Sequence, residues 1–189
     1  MRIDITKKQE SDVMYSAVGY ATTGGSLETV QNGMVGKLGS MVEYDTYEFL
    51  PLASGDSEVF IMATPEVDPD ESKIENNTLK GFTMTEGQVG DITVLKRHSC
   101  LTIEEAGIKN FPSTGSTAIG KYVYAKEGER LLQYKATSPD TSTDKAILIG
   151  VVEGVKPATS PIMFKQGTSS SKSLSGMGLS YNLVEVRFL

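Results

Sequence analysis

A mainly β protein, made of β-barrel or β-sandwich units with one or two short helical turns, is what three features of the sequence predict. The 19 glycines among 189 residues exceed the usual ~7%. With abundant Ser and Thr they favour many turns and short strands over helices. A phrase also occurs twice. Val35-Gly36-Lys37-Leu38 leads through residues 47–52 (YEFLPL) into the apolar run Val59-Phe60-Ile61-Met62-Ala63, and Ile119-Gly120-Lys121-Tyr122 leads through residues 131–136 into Ile147-Leu148-Ile149-Gly150-Val151-Val152. Finally, the closing run alternates, with Val184, Val186 and Phe188 spaced to share one face of a strand. With 39% apolar residues, a chain of this length buries a real core. The repeat divides it into a polar arm at 1–12, a first β subdomain at 13–110 and a second at 111–189, or else a single β-rich domain.

In chain order, residues 1–12 are polar and charged and read as a flexible arm that orders only against a partner or not at all. Residues 13–20 (VMYSAVGY) form a first strand, and the Gly24-Gly25 pair turns the loop after it. A second strand runs over 30–38, and Asn32-Gly33 supplies a tight turn at its start because both residue types tolerate φ > 0. Residues 44–52 and 58–64 form the next pair, with 53–57 (ASGDS) as their hairpin loop. Pro65 halts the ladder. An acidic, proline-broken loop follows at 66–71, then a polar stretch at 72–80. Strands are expected at 81–85 and 91–96, around a turn at 86–90. Thr102 and Glu105 have capping-box spacing, and Gly107 limits the helix to one or two turns. Residues 111–116 are linker-like. The second β unit spans 118–155, Pro157 and Pro161 bracket a turn, and 167–178 is a mobile Gly/Ser loop. Residues 181–189 form a terminal strand, which in the ordinary case pairs inside its own fold.

Charge excludes some functions. Net charge is −6; residues 1–120 hold 18 acids against 9 bases, and residues 121–189 hold 6 against 9. Binding nucleic acid through phosphates needs a basic face, which so acidic a chain does not offer. The asymmetry is that of a solvated surface in the simpler reading, or else orients the chain on a partner with its own charge pattern. No apolar stretch approaches the ~20 residues that span a bilayer, and the N-terminal residues lack the apolar core of a signal peptide. A cytoplasmic site of synthesis is therefore expected.

The residues that carry chemistry are few. His98 is the one histidine and Cys100 the one cysteine. If both lay on a strand they would share a face, but Lys96-Arg97-His98-Ser99-Cys100 matches no cysteine-protease signature, and a strand-edge His beside a half-buried Cys is the simpler reading. One His and one Cys cannot make a closed zinc site within one chain. Glu66, Asp68, Asp70 and Glu71 cluster as hard oxygen ligands would, without EF-hand spacing, and read as a solvated acidic loop. The glycine turn at 115–120 lacks the Gly-Lys-Ser/Thr ending of a phosphate loop. Glu104-Glu105 and the pair Glu127 and Glu129 have no tryptophan near them to stack a sugar. No catalytic residue, metal or cofactor is expected.

The order of features resembles one family. Gly33 to Lys37 precedes Tyr47-Glu48-Phe49-Leu50-Pro51-Leu52; then come residues 58–67 (EVFIMATPEV) with Asp70-Glu71, Phe82-Thr83, Gly90-Asp91-Ile92-Thr93-Val94 and Ile119-Gly120-Lys121-Tyr122-Val123. Over residues 30–155 this resembles the decoration, or cement, proteins of tailed-bacteriophage heads. The resemblance implies a non-enzymatic β-barrel or β-sandwich protein on the outer surface of the virion. Its partners would be the major capsid protein and further copies of itself, in a trimer or similar cluster, with no nucleic acid and no membrane. On that reading the shell contacts are Met1, Arg2, Ile3 and Asp4 of the arm and Glu66, Asp68, Asp70 and Glu71 of the acidic loop. The alternatives are another phage structural or adhesin module, which would show aromatics on its loops, and a small hydrolase using Cys100 and His98.

Overall fold

The computed structural model describes residues 3–7, 14–64, 84–160 and 179–189. Among them it shows twelve strands and two 3-10 turns, so the protein is mainly β as expected. The strands are β1 (Ile3–Lys7), β2 (Met14–Gly19), β3 (Val35–Glu43), β4 (Thr46–Leu50), β5 (Val59–Met62), β6 (Gly90–Leu95), β7 (Cys100–Glu104), β8 (Ile108–Lys109), β9 (Tyr122–Lys126), β10 (Leu132–Lys135), β11 (Ala146–Ser160) and β12 (Leu179–Phe188). The 3-10 turns are Glu105–Gly107 and Gly115–Ala118.

β2, β4, β3, β5 and β6 close into a five-stranded barrel. β2 closes it: Met14 to Ala17 pair antiparallel with β6, and Ser16 to Gly19 pair parallel with β4. The other seven strands form a sheet in the order β1-β7-β12-β11-β9-β10-β8. The two assemblies share one connectivity. In the barrel β3 lies between β4 and β5, and β6 follows on β5; in the sheet β9 lies between β10 and β11, and β12 follows on β11. The part of β2 is taken by β7 and β8 together. β7 pairs antiparallel with β12, and after three residues of 3-10 turn β8 pairs parallel with β10. One short segment thus reaches both sides of the sheet, which must curl for it to do so. The phrase that occurs twice in the sequence marks a repeated five-strand unit.

Apolar residues alternate between two cores. In β5 all four residues are buried. Phe60 and Met62 join Ala17, Val30, Phe49, Met84, Ile92 and Val94 inside the barrel, while Val59 and Ile61 face a larger cluster that includes Val35, Leu52 and Leu95 with Leu101, Ile103, Val123, Leu132, Val184, Val186 and Phe188 of the curled sheet. An uninterrupted apolar run is what a strand covered on both faces requires. The barrel's outer face is thus the floor of the second core. Tyr15 adds edge-to-face contacts with Tyr47 and Phe60, at centroid distances of 5.5 and 6.0 Å.

Several expectations are corrected. Residues 44–52 and 58–64 do not make a hairpin with each other, because β3 sits between β4 and β5. The loop between them is a turn held by Asp56, which accepts from the Ala53 N–H at 2.6 Å and pairs with Lys37 at 3.2 Å. The tight hairpin is β3–β4, turning at Tyr44 and at Asp45, which has φ 63°. The strand expected from residue 30 begins at Val35; Val30 makes only an isolated bridge to Met84. Thr102 lies in β7 and caps nothing, since register with β12 claims its backbone. Pro157 lies inside β11 opposite Asn182 and makes no turn. Ile3 to Ile5, placed by sequence in a flexible arm, pair antiparallel with Leu101 to Ile103, because the open edge of β7 accepts a further strand. Sheet membership changes between Leu95 and Cys100. The terminal strand pairs inside its fold with β11 and β7, and Val184, Val186 and Phe188 are buried as their alternation predicts. The strand expected over 81–85 falls mostly outside the described residues, as do the Gly/Ser loop at 167–178 and the polar stretch at 72–80.

The two glycines of the repeated phrase are required for different reasons. A Cβ on Gly36 would collide with the Leu50 carbonyl oxygen and approach the Phe49 ring to 2.8 Å, whereas Gly120 has open space but φ +76°. We predict that Gly36→Ala destabilises the fold by about 1–3 kcal/mol through overpacking, and Gly120→Ala by about 1–2 kcal/mol through backbone strain. Denaturant unfolding of the Asn variants separates the two causes. Asn, which tolerates positive φ, should be far milder than Ala at position 120 and at least as harmful as Ala at position 36.

Candidate functional site

The β9–β10 loop of the curled sheet is seated on one end of the barrel. Val35 N–H donates to the Arg130 carbonyl at 2.7 Å, and Gly128 N–H donates to the Leu52 carbonyl at 2.8 Å. Arg130 reaches in with its guanidinium 4.9 Å from the Phe49 ring centroid. Its Nη2 donates to the Tyr20 carbonyl (2.7 Å), the Phe49 carbonyl (3.1 Å) and Glu28 Oε2 (2.6 Å). Burial lowers the Arg130 pKa and the Glu28 carboxylate opposes that shift. This is a structural clamp that consumes carbonyls at the barrel end.

A second barrel carboxylate is also structural. Glu48 is buried, accepting from Gly24 N–H at 2.7 Å and Ser40 N–H at 3.0 Å. It ties the loop after β2 to the bulge in β3. Asn32 and Thr64 imitate a strand pair: Asn32 Nδ2 donates to the Thr64 carbonyl at 2.8 Å, and Thr64 N–H donates to Asn32 Oδ1 at 2.9 Å.

What the barrel offers outward is the β3–β4 tip. Met41 is 58% exposed, Val42 43% and Tyr44 97%, with Glu43 and Asp45 interleaved. Three large side chains this exposed gather on one hairpin. Sequence reasoning placed Tyr44 at the start of a strand; the Tyr-Asp turn between two extended runs was the signal that could have found it. An open polar cleft of about 470 Å³ lies between the 53–57 and 137–145 loops, lined in part by Ser54, Asp56, Glu127, Ser142 and Lys145.

The other residues singled out from sequence are distributed as follows. Ile3 and Asp4 lie in β1, opposite Ile103 and Thr102; Met1, Arg2, Glu66, Asp68, Asp70 and Glu71 lie outside the described residues. His98 is not on a strand but in the turn before β7, with φ 69°, because its N–H closes onto the Phe188 carbonyl at 2.8 Å. The Cys100 thiol meets the His98 carbonyl oxygen at 4.0 Å. Glu105 accepts from Asn182 at 2.8 Å, Glu127 pairs with Lys145 at 3.3 Å and Glu129 with Lys109 at 3.1 Å. Among the described residues no group of three or more His, Cys, Asp or Glu could hold a metal ion, and no helix is long and apolar enough to cross a membrane.

Arg130→Met retains most of the side-chain volume but no donor, and should cost about 1–3 kcal/mol in denaturant unfolding, as the Tyr20 carbonyl loses this donor while the Phe49 carbonyl keeps the Tyr20 N–H. On the cleft rim, the Ser142 hydroxyl and the Thr143 and Ser142 N–H groups hold the Asp140 carboxyl down at about 2. A depressed folded pKa means the loop is supported above the ordinary carboxylate value of ~3.9 and loses that support as pH falls toward 2. An NMR titration of the Asp140 carboxyl should therefore have its midpoint near 2 in the wild type, and it should move up toward the ordinary value in Ser142→Ala. Comparison of the chain with protein-family models, with curated proteins and with solved structures gives no match.

Proposed function

We propose that this chain is a non-enzymatic structural protein of a tailed-phage virion, binding the outer surface of the assembled capsid and stabilising it as a decoration protein. The observation that carries the reading is the repeated five-strand unit. Two copies of one connectivity share a continuous core, and polar side chains such as Glu48 and Arg130 are engaged in holding loops and barrel ends. Such an arrangement suits docking better than turnover. Many copies, each burying a modest interface, would stabilise a shell by bridging its subunits and by favouring the assembled state. The partners proposed are the major capsid protein and other copies of the chain, in a trimer or similar cluster. The shell contacts proposed are Met1 to Asp4 and the carboxylates Glu66, Asp68, Asp70 and Glu71.

One observation favours the second reading, an adhesin or tail module: Tyr44 stands almost bare on a turn, where a glycan-binding module would present an aromatic.

Sedimentation of the purified protein with empty heads of the same phage, at low and high salt, tests the proposal. Saturable co-sedimentation at a fixed ratio to the major capsid protein is expected, weakening with salt as screening takes hold. Replacing Glu66, Asp68, Asp70 and Glu71 by their amides should reduce occupancy. Absence of binding to heads at either salt would overturn the capsid reading, and binding of Tyr44-dependent host glycan would then favour the adhesin.

A further inference from the structure

The β9–β10 loop and the β3–β4 tip are the same connection in the two units, the one between the second and third strands of the five. They end differently. The first is seated on the barrel, at the end where β3 begins and β4 ends, through Gly128, Arg130 and the Val35 N–H. The second projects, with Met41, Val42 and Tyr44 exposed. The curled sheet has an end that corresponds to the seat, where β9 begins and β10 finishes. Ile119 is half exposed there, Lys121 directly precedes β9, and Lys135 closes β10 opposite Tyr122.

We propose that the β3–β4 tip of one copy docks on this end of the curled sheet of a second copy, repeating between chains the junction that the β9–β10 loop makes within one. The chemistry of the two surfaces matches. The tip is apolar with Glu43 and Asp45 beside it; the seat sets an apolar Ile119 beside Lys121, while Lys135 is held by Asp144 of its own chain. Charge over the whole units agrees. Residues 14–95 carry 13 acids against 3 bases, a balance of −10, whereas residues 100–189 carry 8 against 10, a balance of +2. Barrel repels barrel, and barrel attracts curled sheet, so electrostatics favours head-to-tail pairing over two-fold pairing through like units. A heterologous contact of this kind closes into a ring or continues as a filament.

This deepens the self-association within the proposed function, but its test leaves phage heads out, so the two can fail separately. The full chain is examined by sedimentation velocity and light scattering over a range of concentrations, at about 0.05 and 0.5 M salt. Mass should rise above that of one chain with concentration and fall back at high salt. A tip variant, Met41→Ser with Tyr44→Ser, and a seat variant, Ile119→Ser with Lys121→Glu, should each weaken association by roughly tenfold or more. Mixed together, they should recover a one-to-one pair, because one keeps an intact seat and the other an intact tip. The single variants Tyr44→Ser and Lys121→Glu, with thermal unfolding of every variant, control for loss of fold. A single-chain mass for the wild type at every concentration would overturn the proposal. So would undiminished association of the seat variant, or a mixture of folded variants that stays monomeric.

Discussion

Arg130 sits where the two units meet, and much else depends on it. A guanidinium placed over an aromatic ring, with backbone carbonyls as acceptors, is held in a site where its charge is poorly hydrated. Glu28 is, among the described residues, the carboxylate paired with it, and it is itself partly exposed. Among the described residues, Nε and Nη1 are buried without a partner. A pair of this kind is weak evidence for net stability, but removing Glu28 would leave the buried guanidinium without that counter-charge. The guanidinium fixes which loop sits on the barrel end and in what orientation, and hydrogen bonds from Val35 and Gly128 on either side fix its depth.

Around that contact the barrel and the curled sheet share one hydrophobic cluster. The arrangement explains why the barrel strands nearest the sheet are apolar on both faces. Val59 and Ile61 would be a solvent-facing liability on an isolated barrel, and so would Leu95; here the curled sheet covers them. Burial on that scale is the dominant favourable term in joining the halves, and the polar clamp at its margin sets their register. The duplicated connectivity has therefore diverged in use. One unit closes with a single strand, β2, while the other breaks the same strand around a 3-10 turn to form β7 and β8. The broken strand leaves the outer edge of β7 open, and β1 takes it.

The same divergence explains how polar groups are used. Glu48 and Asn32 lie in the barrel unit and spend their hydrogen-bonding capacity on backbone groups of loops and a bulge. The carboxylates that sequence reasoning weighed as acid–base pairs, Glu127 and Glu129, are engaged by lysines across loops. Glu48 holds the Ser40 N–H at the base of the hairpin that leaves Met41, Val42 and Tyr44 exposed.

Local pattern determined a good deal by itself. Alternation made the terminal strand and its buried face legible, since Val184, Val186 and Phe188 have period two wherever they are placed. The Asn32-Gly33 turn was legible because positive φ is a property of those residues, and Gly33 has φ 82°. The repeated phrase was legible as a repeat. Pairing was not. That β3 would separate β4 from β5, or that Thr102 would be claimed by a strand despite its capping spacing, depends on which backbone edges meet across long stretches of chain. The seat of Arg130 brings together residues 102 and 110 positions apart in sequence, Glu28 and Tyr20. No local periodicity encodes such a contact. Sequence fixes the preferences of single turns and faces, because those are set by φ, ψ and side-chain direction. Only tertiary structure decides strand order, and with it which polar groups must be satisfied and which apolar ones are left bare.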